Sequence, residues 1–150
     1  MENNHKNAIN KFFLSLDELR NLGIVRFSVI FGDIGEFLCT KVFSGLSLEG
    51  RRTNHGYDAT YEGQKVQIKF SNSSDAKNID LGNPEKYDVL IVVLGKKSTH
   101  IMLDDSNSDY LFYKYTSNEV KNKFKTNGKF KLSKTKHFKK AEKHLSLHQN

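Results

Sequence analysis

The sequence predicts a mixed α/β domain in which a β-sheet is flanked by helices. Three features of the chain point there. Apolar residues recur at helical spacing in the first forty residues. The run Tyr87 to Leu94 is β-branched and continuous, as in a strand covered on both faces. Shorter alternating runs separated by turn residues surround it. At 150 residues the chain is long enough for one core and too short for two, so residues 1–150 are expected to form a single domain.

The elements follow in order. A helix is expected from about Asn7 to Leu22, with Ala8, Phe12, Leu16 and Leu19 at helical spacing and Gly23 at its end. A second helix should run from Ser28 or Asp33 to Val42, with Ile34, Phe37, Leu38 and Val42 apolar and Gly45 beyond it. Glu36 sits near its first turns, on a different face from Phe37 and Leu38, and Cys39 reads as a small packing residue. Leu46 to Gly56 reads as an irregular loop. Tyr57–Tyr61 and Gln64–Phe70 then alternate around Glu62-Gly63, which signals a hairpin. A polar loop, Ser71 to Pro84, leads to the buried strand at Tyr87–Leu94. Gly95 to Ser98 turns into an expected strand over Thr99–Leu103, and Leu111–Tyr115 is another. The remainder reads as helical: Asn118–Lys125, then a Ser133-capped helix from about Thr135 to Leu145.

Composition narrows the function classes. Hydrophobic residues make up 37% and charged residues 27%, with 10 Gly, 1 Pro and no Trp, which excludes collagen, a coiled coil and a wholly disordered chain. The single Cys39 excludes an internal disulfide framework. No apolar run approaches the roughly 20 residues of a membrane span, and the N-terminus lacks an apolar signal core. An intracellular, cytoplasmic protein with no membrane partner is therefore expected. The formal net charge is +7, but it is uneven. From Ser117 onward there are ten Lys against two Glu, while the body before it is nearly neutral. This basic C-terminal segment, from about residue 117, suits a polyanion, because clustered Lys displaces condensed counterions. A solvated, Lys-rich helix would show the same composition.

The hairpin register can be worked out. With Glu62 and Gly63 as the turn, Tyr61 faces Gln64 and Asp58 faces Gln67. Directly opposite residues share a face, with Cβ atoms roughly 4.5–5.5 Å apart. Lys69, two residues on, shares that face too. Val66, Ile68 and Phe70 point the other way, as do Tyr57 and Ala59. One face is apolar; the other gathers a carboxylate, an amide and an ammonium. An ordinary solvated hairpin face would read the same way.

Taken together, Glu36 on the first core helix, Gly56-Tyr57-Asp58 and Val66-Gln67-Ile68-Lys69 resemble the PD-(D/E)xK nuclease superfamily. The resemblance spans about Gly32 to Leu94, and Tyr87–Leu94 matches the next core strand. Tyr57 stands where the signature has Pro, and Gln67 stands where it has Asp or Glu, as in the Gln-x-Lys subset. The resemblance implies a restriction-endonuclease-like fold and a metal-dependent DNA endonuclease of restriction, phage-defence or homing type. It implies Mg²⁺, with Mn²⁺ as a substitute, held by Asp58, the Ile68 carbonyl, Gln67 and Glu36. Such a cation lowers the pKa of bound water and stabilises charge on phosphoryl oxygens. Lys69 would orient the water and offset developing charge. Gln67 in place of an acid removes one negative charge, which should weaken metal binding.

Other residues fit the same partner. Arg51, Arg52 and Asn54 precede the hairpin and could touch phosphates or bases; Ser71 and Asn72 continue from Lys69. In the tail, Phe124, Phe130 and Phe138 are expected to dock on the core, leaving Lys129, Lys131, Lys134, Lys136, Lys139 and Lys140 for the nucleic-acid backbone. His55 reads as incidental. His144 and His148 lack a third zinc ligand. One small domain carries one active site, so cutting both strands implies a homodimer or higher homo-oligomer. The competing readings are a catalytically inactive nucleic-acid-binding module of the same fold and a structural or regulatory protein.

Overall fold

A computed structural model describes residues 1–22, 31–50, 56–101, 108–134 and 139–147. The chain is mixed α/β. Helix α1 spans Asn3–Asn21 and α2 spans Phe31–Val42. The strands are β1 Ser47–Leu48, β2 Ala59–Tyr61, β3 Gln64–Ser71, β4 Asn78–Asp80, β5 Val89–Gly95 and β6 Tyr110–Thr116. After them come helix α3 Ser117–Lys123 and strands β7 Lys125–Thr126, β8 Lys129–Ser133 and β9 Lys143–Leu145. The main sheet has the order β1-β2-β3-β5-β6-β9, and a smaller one has the order β4-β8-β7. In the main sheet the β3–β5 pair is parallel and its other pairs are antiparallel.

Strand β5 organises the core. All its residues are buried, and they alternate between two apolar layers. Val89, Ile91 and Val93 face the layer holding Leu38, Cys39 and Phe43, with Phe13 and Ile34 packed on it. Leu90, Val92 and Leu94 face the layer holding Leu81, Tyr113, Val120, Phe124 and Leu132. A strand buried on both faces needs no polar alternation, which is why its sequence is continuous Val, Ile and Leu. Among the described residues no helix is long and apolar enough to cross a membrane.

The hairpin forms in the expected register, with Tyr61 opposite Gln64 and Ala59 opposite Val66. Its turn has positive φ at both Glu62 (51°) and Gly63 (74°), the geometry whose twist matches the flanking strands. Helix α2 docks on β3 through Gly35: a Cβ there would lie 2.7 Å from the Cβ of Phe70. Only glycine allows that approach.

Several expectations are corrected. Ser47–Leu48 pairs with β2, so the Leu46–Gly56 segment is not wholly irregular. The Ser71–Pro84 loop contains β4, held by β8. Residues 99 and 100 form a turn rather than the start of a strand, and 102–103 lie outside the described residues. The expected Thr135–Leu145 helix is absent from residues 139–145, where β9 pairs with the edge of β6; residues 135–138 lie outside the described set, as does Gly23. Helix α3 is capped by Thr116, whose side chain accepts from Glu119 N while the Glu119 carboxylate accepts from Thr116 N. Tyr57 does not share the Ala59 face. The strand begins only at Ala59, so alternation stops there, and Tyr57 packs against the second layer with Lys65 Nζ 5.5 Å from its ring centre.

Candidate functional site

The polar face of the hairpin is not a solvated surface. Gln67 stands beside Leu90 of β5, and Lys69 beside Val92. Both neighbours belong to the second apolar layer, so the polar group lies along the border of a core. Gln67 is only 8% exposed; Asp58 and Lys69 are half-buried.

Asp58 sits where β2 peels away from β3. Its N–H donates to Val66 O (2.8 Å), prolonging the ladder by one bond. Its carboxylate then takes the next ladder position, with Oδ2 accepting from Ile68 N at 2.7 Å. The same Oδ2 accepts from Gln67 Nε2. That amide nitrogen also lies 3.4 Å from the Ile68 carbonyl oxygen. Gln67 Oε1 is on the side of Gly82, 3.8 Å from where a Cβ would stand. The Asp58 carboxyl is held above the usual carboxylate range: burial raises it by more than the Ile68 N–H and the Lys69 ammonium lower it.

Glu36 approaches from α2. The neighbouring Gly35 rests on Phe70, so α2 crosses β3 on the face of the first layer, opposite to Gln67 and Lys69. Cys39, one turn on, is fully buried, and its thiol is pushed far up by burial and then by the charges of Glu36 and Asp58. Cys39 itself packs in the first layer, as its size suggests.

Two oxygens, Asp58 Oδ2 and the Ile68 carbonyl, thus face one amide nitrogen. Hard oxygens aimed at a common point fit a small divalent cation. Among the described residues no three His, Cys, Asp or Glu cluster as a metal-holding group. The group here is different in kind: one carboxylate and one backbone carbonyl, with the nitrogen of a side-chain amide between them.

The other candidates divide. Ser71 lies on the Lys69 face and is buried. Asn72 lies on the opposite face, its Oδ1 accepting from Lys97 N at 3.0 Å. Lys129 and Lys131 sit on β8, with Lys131 opposite Asp80, and Lys134 and Lys140 are exposed. Lys139 is tied inward: its Nζ donates to Glu119 Oε2 (2.7 Å) and Lys114 O (3.1 Å), above the Tyr115 ring. Phe124 is buried and Phe130 packs on the second layer. Arg51, Arg52, Asn54, His55, Lys136, Phe138 and His148 lie outside the described residues. Sequence reasoning missed Gly82, which borders Gln67; the only signal was its place in a Gly-Asn-Pro turn. No family model matches the chain, and no curated protein matches it.

Proposed function

We propose that the chain is a metal-dependent DNA endonuclease with a restriction-endonuclease-like core, acting inside the cell. The observation that carries this reading is the convergence of Asp58 Oδ2 and the Ile68 carbonyl on a single point, beside Lys69 and on the border of an apolar layer. Asp58 and the Ile68 carbonyl would hold Mg²⁺ or Mn²⁺, with Glu36 contributing directly or through water. A divalent cation there supplies a water acidic enough to be a nucleophile at neutral pH and charge for the phosphoryl oxygens. Lys69 would orient the attacking water and offset charge that builds on the phosphate. The apolar layer behind Gln67 lowers the local dielectric and strengthens both effects. Lys129, Lys131, Lys134 and Lys140 bind the DNA backbone without reading sequence. One chain offers one such site, so double-strand cleavage takes two copies.

The test is cleavage of supercoiled and linear DNA with Mg²⁺ or Mn²⁺. Wild type should cut, and Asp58→Ala and Lys69→Ala should lose at least roughly a hundredfold in rate with unchanged circular dichroism. Full activity in either variant overturns the site. One observation favours a second reading, a DNA-binding module of the same fold that does not cut: it is the Gln67 nitrogen, not an oxygen, that faces Asp58. Salt-sensitive DNA retention without cleavage in any metal would select it.

A further inference from the structure

We infer that Gln67 is a latch on the candidate metal site: its amide nitrogen holds the position between Asp58 and the Ile68 carbonyl that a divalent cation would take. The inference rests on the metal-dependent reading above and adds to it a role for Gln67 as competitor.

Each contact of the amide supports this. Nε2 donates to Asp58 Oδ2 and leans on Ile68 O at 3.4 Å. These are the two oxygens that would hold the cation in the reading above. Asp58 Oδ2 already accepts from Ile68 N at 2.7 Å, and the amide is its second donor. A cation at that point would meet the amide hydrogens directly, and like partial charges repel. Gln67 must therefore swing or turn over before the cation enters. Its Oε1 borders Gly82, where the missing side chain leaves room for the amide to move. Because Gln67 is only 8% exposed, water is poorly placed to satisfy the freed N–H.

The hydrogen bond from the amide to an ionised carboxylate is charge-assisted, and the need to break it should weaken cation binding by roughly ten- to a hundredfold. Loading then depends on whatever else compensates, and a phosphate brought by the substrate is the natural candidate. The site would load more weakly without nucleic acid than with it.

The sign of one substitution decides. A plain ligand and a latch make opposite predictions for removing the amide. Titration calorimetry of Mn²⁺ into the full chain, without nucleic acid, should show Gln67→Ala binding about tenfold more tightly than wild type. Gln67→Leu keeps the buried volume and should do the same, which guards against loss of packing in the alanine variant. Equal or weaker binding in both overturns the latch. Asp58→Ala in the same titration should abolish binding. If Asp58→Ala binds Mn²⁺ like wild type, the metal site itself is wrong, a failure distinct from that of the latch.

Discussion

Burial decides how tightly the Asp58 carboxyl holds its proton. The carboxyl is held above its ordinary range by burial, against the pull of the Ile68 N–H and the Lys69 ammonium. The folded protein therefore binds the Asp58 proton more tightly than the unfolded chain does. Stability from this residue is greatest at low pH and is lost as pH rises through the window above the ordinary carboxylate value of about 4. Asp58→Asn carries no such proton. Urea unfolding from pH 3.5 to 7 should show the variant gaining on wild type as pH rises, with the gap closing when Mg²⁺ is added to the wild type alone. Parallel stability curves for the two proteins would mean that the carboxylate is comfortable where it is.

At the scale of elements, the β2–β3 hairpin is locally determined and open to improvement. Both turn residues adopt positive φ, which suits Gly63 but is unfavourable for Glu62 at 51°. Asn tolerates that region better, so Glu62→Asn should stabilise the fold by about 0.5 kcal/mol. Thermal unfolding checks this, and a lower melting temperature contradicts it. The hairpin is readable in the sequence because turn, alternation and register are all local, and these also place Asp58 and Gln67 together. Strand β5 is readable because a strand buried on both faces repeats one residue class. Short Asn78–Asp80 is not, since only Ile79 is apolar, and the strand exists because β8 pairs with it and sets Leu132 opposite Ile79. Lys143–Leu145 reads as helix in the sequence because local propensity favours that there. The edge of β6, pairing Tyr110 with Leu145, outweighs propensity. At the site, the cover over the Gln67 face is hidden for the same reason: Leu90 lies on another strand and gathers Leu81 and Leu132 from elsewhere in the chain.

For the whole molecule, the issue is how a nearly neutral body uses a basic end. The described residues from Ser117 onward are built into the fold. They form α3 and three strands, with Val120, Phe124 and Leu132 fully buried. Folding sorts their lysines. Lys139 turns inward to the Glu119 carboxylate, whose pKa burial tends to raise but hydrogen bonds from Lys139 and Thr116 hold below its usual value. Lys129, Lys131 and Lys134 stay on or just beyond β8, a strand whose Phe130 and Leu132 face the core while Lys129 and Lys131 face away. Alternation thus presents two charges on one rigid surface, with Lys134 following at its end. In a DNA complex, every phosphate that a lysine ceases to neutralise should lower the slope of log affinity against log salt by roughly 0.9. Replacing Lys129, Lys131 and Lys134 with Ala together should therefore flatten the slope by about 2 to 3. Lys139→Ala should leave the slope unchanged and lower stability instead, because its partners are inside the protein. Retention of a labelled duplex measured from low to moderate salt reads both. An unchanged slope in the triple variant would mean that the basic sheet is a solvated face, and a flattened slope in Lys139→Ala would mean that the ion pair with Glu119 opens when DNA binds.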